Sequence, residues 1–99
     1  MKYLKKIVLH CPNGLPANLE QLVAEFRAAG VIYVGVVGKD SAFIEDNIDE
    51  LAVGLGLDIY ELLTASHKDG SVEEAVEFAR SLDLDLDPKS KGKVQVVEC

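Results

Sequence analysis

Cations are scarce in this chain. Ten lysines and arginines stand against seventeen aspartates and glutamates, a formal charge of −7 over 99 residues. Residues 40–87 hold fourteen of those acids and only two of the cations, so most of the surface repels a phosphate backbone, and the basic residues near the termini form no stripe. No nucleic-acid partner is expected. Long apolar runs are also missing: nothing approaches the ~20 residues that span a bilayer, and the start Met1-Lys2-Tyr3-Leu4-Lys5-Lys6 enters a strand pattern without a cleavable apolar region. No membrane partner is expected, and the protein reads as cytoplasmic. Cysteine is limited to Cys11 and Cys99. No C-x-x-C pair exists because position 14 is glycine, so a reduced compartment is compatible and no structural disulfide is required.

What the chain does have is periodic apolar sequence. With 48% hydrophobic and 27% charged residues, a length near 100 residues allows one core and one domain, residues 1–99. The acidity reads as a solvated face that keeps a small protein soluble.

Three apolar runs each stop at a knot of small polar and ionisable residues: Ile7–Leu9 at His10-Cys11-Pro12-Asn13-Gly14, Val31–Val37 at Gly38-Lys39-Asp40-Ser41, and Leu62-Leu63 at the stretch from Thr64 to Ser71. A helix-period pattern follows each knot. Leu19, Leu22, Val23 and Phe26 form one stripe, which Gly30 closes in a left-handed conformation. Either Pro16 at the first helical position or an Asn18–Gln21 capping box starts that helix. Ile44, Ile48, Leu51, Ala52 and Leu55 form a second stripe, opened by Asp40 or Ser41 and ended by Gly54 and Gly56. Val72, Ala75, Phe78, Ala79 and Leu82 form a third behind a Ser71–Glu74 capping box. The β-branched run Val31–Val37 is what a central strand covered on both faces looks like. A third strand is expected within Ile59–Ala65 and a last one over Lys93–Glu98. Residues 83–87 alternate with period two and read either as a short edge strand hairpinned to the last one or, in keeping with the parallel pattern, as a descent from the third helix.

The fold class is therefore α/β: a three-layer sandwich around a mostly parallel four-stranded sheet, Rossmann-like or flavodoxin-like, with strand order 2-1-3-4. Parallel strands bring all three knots to the C-terminal edge of the sheet, where open α/β sheets bind ligands. Cys11, Asn13, Lys39, Ser41, Thr64, Ser66 and His67 are the candidate ligand-binding residues of that edge.

None of them completes a catalytic or cofactor motif. Cys11 before a helix would feel the N-terminal partial charge that lowers a thiol pKa, but a phosphatase loop needs C-x5-R and position 17 is alanine. Residues 7–30 resemble the start of sugar-phosphotransferase IIB subunits, in which a cysteine after the first strand accepts a phosphoryl group. Cys11-Pro12-Asn13-Gly14 matches their C-x-x-G, whereas Leu15-Pro16-Ala17 stands where they carry a hydroxyl-bearing phosphate loop. A Walker motif would need glycine at Tyr33 and a hydroxyl at Asp40, and no strand is followed by G-x-G-x-x-G. His10, His67 and Cys11 lack metal-ligand spacing. Asp83-Leu84-Asp85-Leu86-Asp87 begins like a calcium loop but meets Pro88 at the sixth position and Val94 at the twelfth. No cofactor and no metal is implied. The expected function is a non-enzymatic binding or regulatory domain working through protein–protein contact, with itself as a homodimer or with another protein. The alternative is a small-ligand or anion site at the sheet edge, handling phosphoryl groups through Cys11.

Overall fold

The first strand, β1 (Lys6–Cys11), lies inside the sheet, and Lys6, Ile7, Val8, Leu9 and Cys11 are fully buried. The computed structural model describes residues 3–54, 62–67, 70–82 and 93–98. After β1 come α1 (Leu19–Ala29), β2 (Tyr33–Gly38), α2 (Ser41–Gly54), β3 (Leu63–His67), α3 (Val72–Ser81) and β4 (Gln95–Glu98). All pairings are parallel, and the strand order is 3-2-1-4.

That order corrects the expected 2-1-3-4, which would have put β2 at an edge. Five of the six β2 residues are buried, and a strand apolar on both faces loses least by lying inside. The chain steps outward from β1 to β2 to β3, then returns past both to add β4 on the other side. Reversal of direction under right-handed crossovers puts the last helix on the opposite face. Accordingly α1 and α2 pack Leu22, Val23, Phe26, Ile44 and Ile48 against Ile7, Leu9, Val34 and Val36. On the other face α3 packs Ala75 and Ala79 against Val8, Tyr33 and Val37.

Local chemistry explains the element ends. Gly30 takes φ +79 and its N–H donates to Arg27 O, closing α1 as expected. Asn18 precedes α1 but its side chain makes no capping bond, so neither expected start motif holds. At α3 the Ser71 hydroxyl accepts from Glu74 N–H at 3.1 Å. Two further expectations fail for a physical reason. Thr64 to His67 are strand, not loop, because Thr64 finds carboxylate partners on α2 and an edge strand tolerates polar alternation. Phe78 is 46% exposed rather than buried, because α3 touches the sheet through its alanines and leans over β1 and β2. Leu55, Gly56, residues 59–61 and 83–92, and Cys99 lie outside the described residues.

Candidate functional site

The parallel sheet ends at Cys11, Gly38, His67 and Glu98 along one edge. Two loops there are pressed together by glycine geometry. Gly38 has φ +120, and a Cβ on it would stand 2.4 Å from the carbonyl oxygen of Cys11; a Cβ on Gly14 would stand 3.2 Å from Asp40 Oδ2. Gly14 N–H donates to Cys11 O at 3.2 Å and tightens the first loop. The topological switch point, where an α/β sheet usually opens for a ligand, falls between β1 and β4. Here it is bridged: His10 Nδ1 lies 2.6 Å from Glu98 Oε2, and Cys11, fully buried, is disulfide-bonded.

That bond removes Cys11 from the candidate set as a thiol, and with it the phosphoryl chemistry suggested by the resemblance to IIB subunits. Composition and spacing did not require that disulfide. Asn13 and Lys39 are exposed on the two apposed loops. Ser41 opens α2 and is 1% exposed, and its Oγ has no hydrogen-bond partner among the described residues. Thr64 lies near the start of β3, away from the edge, and its hydroxyl is engaged by Glu45 Oε2 at 3.0 Å and Asp49 Oδ1 at 2.8 Å. Ser66 pairs with Val36 in register and shares its face, that of α1 and α2, whereas His67 pairs with Val37 on the α3 face. The seven residues therefore do not form one site. Lys39 and Ser41 stay together at the start of α2, and His67 belongs to another layer.

Residues 3–94 match one family model, described as a domain of unknown function (DUF7684). The chain belongs to that family. No curated protein and no solved structure matches it.

Two features carry more chemistry than sequence reading assigned to them. The first is a hollow of ≈ 270 Å³ lined by Asp40, Ser41, Ala42 and Phe43. Asp40 sits in the left-handed region at φ +59, and Ile44 N–H donates to its carbonyl at 2.9 Å. The N–H groups of residues 41–43 precede that first helical bond and are the orphan donors of the α2 terminus. The α3 terminus differs: Ser71 caps it and Glu73 and Glu74 occupy its first turn, whereas α2 has no acid in its first turn.

The second feature lies beneath Phe78. Tyr33 is 2% exposed, and a Cβ on Gly35 would meet its hydroxyl at 2.7 Å, so the phenol lies flat along β2 over a position that must be glycine-sized. Tyr33 Oη and His67 Nε2 are both buried without a hydrogen-bond partner among the described residues, and both rings contact Phe78, at centroid distances of 6.5 and 5.4 Å. Burial, with a smaller contribution from the Glu45 charge, pushes the Tyr33 phenol up to about 12. No group of three or more metal-ligating side chains occurs among the described residues.

Proposed function

We propose that this chain is a small non-enzymatic binding domain, Rossmann-like in topology, that docks an extended cationic segment of a partner protein along the outer edge of β3. The supporting observation is the half-covered α3 layer. Leu63, at the start of β3, is 55% exposed, and Phe78, which packs on His67 at the other end of β3, is 46% exposed; the strand itself pairs with nothing beyond β2 among the described residues. An open edge adds a strand through main-chain hydrogen bonds, and alternate side chains then fill pockets on the two faces. Here the α3 face offers Leu63, Ala65 and Phe78.

Charge selects the occupant. Glu45 and Asp49 converge on Thr64 from one face, and Glu74, one turn before Phe78, has its Oε2 3.8 Å from where a Cβ on Gly70 would stand. A strand alternating lysine or arginine with valine or leucine complements both. A second copy brings the same acidic rim and a like charge of −7, which disfavours self-pairing at this edge. The cytoplasmic setting is part of the proposal and has the Cys11 disulfide against it, since thiols there are kept reduced.

The test is a titration of ¹⁵N-labelled protein with a seven-residue peptide alternating lysine and valine. The amides of residues 63–67 shift saturably, an alternating glutamate–valine peptide leaves them unmoved, and Leu63→Lys abolishes the response. Equal response to both peptides, or none to either, removes the reading. Sedimentation equilibrium covers self-association: a dimer weakened by Val96→Lys would transfer the function to the β4 edge, where Val96 is 40% exposed.

A further inference from the structure

We propose that His67 is a proton-operated latch on the β3 edge, which lets go of Phe78 and weakens cationic docking when the imidazole becomes charged. This rests on the docking reading and supplies its regulation. His67 is the last residue of β3 and pairs with Val37 on the α3 face, where its ring meets Phe78 edge-on at 5.4 Å between centroids and 69° between planes. Its Nε2 is buried without a hydrogen-bond partner among the described residues, and so is the hydroxyl of Tyr33, the other ring against Phe78. A neutral imidazole needs one donor and one acceptor, whereas the imidazolium is a donor at both nitrogens and carries a charge. Without an acceptor the charged ring is out of place under Phe78.

Glu74 supplies the acceptor. A Cβ on Gly70 would stand 3.2 Å from His67 Cβ and 3.8 Å from Glu74 Oε2, so the two residues flank one position that has no side chain. A rotamer change at the end of an edge strand brings the charged ring to that carboxylate. The helix start is undisturbed, because the Ser71 cap holds the backbone N–H of Glu74. Other charged groups of the neighbouring elements have other roles. On α3, Glu77 pairs with Arg80 at 2.6 Å and Glu73 is exposed; on β2, burial pushes the Tyr33 phenol up to about 12, so it keeps its proton; Glu45 of α2 bonds Thr64 at 3.0 Å. Lys68 and Asp69 follow His67 in the sequence and lie outside the described residues. Charging His67 therefore changes the edge twice: Phe78 loses the ring it packs on, and Glu74 is taken by an internal cation instead of a docked lysine. Docking is strongest with His67 neutral and falls as acid charges it, within the window of about pH 8 to 5 in which histidines change charge.

The experiment follows histidine and phenylalanine side-chain resonances of the full, peptide-free chain from pH 8 to pH 5. The Phe78 ring moves with the same midpoint as the His67 imidazole. In His67→Phe, which keeps a ring against Phe78 and cannot titrate, the Phe78 signals stay still, and His67→Gln serves as a second non-titrating variant. Glu74→Gln shifts the His67 midpoint downward, because the charged ring loses its acceptor. The alternating lysine–valine peptide then binds wild type about tenfold more weakly at pH 5.5 than at pH 7.5, the loss of about one charge-assisted contact, and His67→Phe shows a smaller fall. Phe78 signals indifferent to the His67 transition, a Phe78 transition that survives in both non-titrating variants, an unchanged midpoint in Glu74→Gln, or an equal fall in wild type and His67→Phe would each overturn the latch. A peptide that binds at no pH removes the docking reading, and the regulation with it, while the peptide-free titration still decides whether His67 releases Phe78.

Discussion

Tyr33 is the residue at which burial and polarity conflict most directly. Its ring belongs to the α3-side core, yet its hydroxyl is buried without a partner among the described residues. Replacing such a group with hydrogen removes an unmet desolvation cost, so Tyr33→Phe is expected to stabilise the fold by about 1 kcal/mol in chemical denaturation. The same variant changes the alkaline limb. Tyr33 holds its proton up to about 12 in the folded chain against 10.0 as an ordinary phenol, so between those values the unfolded state binds fewer protons and stability falls as pH rises. The wild type therefore loses on the order of 2 kcal/mol across that window, full stability being present below pH 10. Tyr33→Phe should lose less, the remainder including Tyr3, whose pKa is also raised by burial and by its bond to Glu25. Stability curves at pH 9.5 and 11.5 measure both effects; equal losses in the two proteins would show that the phenol is solvated. Gly38 is constrained by geometry instead. With φ +120 and the Cys11 carbonyl 2.4 Å from a Cβ, Gly38→Ala must move backbone, and a cost of about 3 kcal/mol or more is expected in the same assay.

At the scale of the element, β2 carries the sheet. Val34 is fully buried between β1 and β3 under α1 and α2, so Val34→Asp places an unpaired charge where its desolvation outweighs a typical net stability of ~5 to 15 kcal/mol. The variant should show no cooperative thermal transition by circular dichroism; near-native melting would mean that β2 is not internal. Much of this was legible in the sequence. The α1 stripe Leu19, Leu22, Val23 and Phe26 is buried as its spacing requires, and the Ser71 cap and Gly30 closure were readable from residue type alone. The rest needed partners that local sequence does not contain. Nothing in Leu62 to His67 says that Thr64 would meet Glu45 and Asp49 from another element, so the strand was placed too early. Nor does periodicity say that α3 sits on Ala75 and Ala79 with Phe78 at the rim. Lys6 reads as a polar strand start, yet it is fully buried and its Nζ donates to the carbonyls of Ala79 at 2.8 Å and Leu82 at 2.6 Å. A cation at a helix C-terminus is a tertiary fact, visible only once α3 lies across β1. The candidate site was legible as an edge but not as a constellation, because alternation sends Ser66 and His67 to opposite faces.

At the scale of the whole molecule, the last strand returns across the sheet to close it, and its attachment governs how the edge behaves. β4 is four residues long and pairs only with β1 among the described residues, over rungs Ile7–Gln95 to His10–Glu98. A strand so short at an edge frays easily. One link at its C-terminal end opposes that, the His10–Glu98 contact, which is solvent-exposed and individually weak, and on β1 beside it Cys11 is disulfide-bonded. Cys99 is the only other cysteine of the sequence, and a disulfide that closes a long loop stabilises by about 2–4 kcal/mol in the chain-entropy account. Peptide mapping without reductant should therefore recover the segments around residues 11 and 99 as one linked species. Cys11→Ser, or reduction in mild denaturant, should lower the unfolding midpoint correspondingly and speed amide exchange in residues 95–98 first. Residues 63–67, on the far edge, should exchange as before. Equal acceleration at both edges would instead show that β1 itself loosens when Cys11 is freed, and two unlinked peptides would show a chain that holds β4 by its ladder alone.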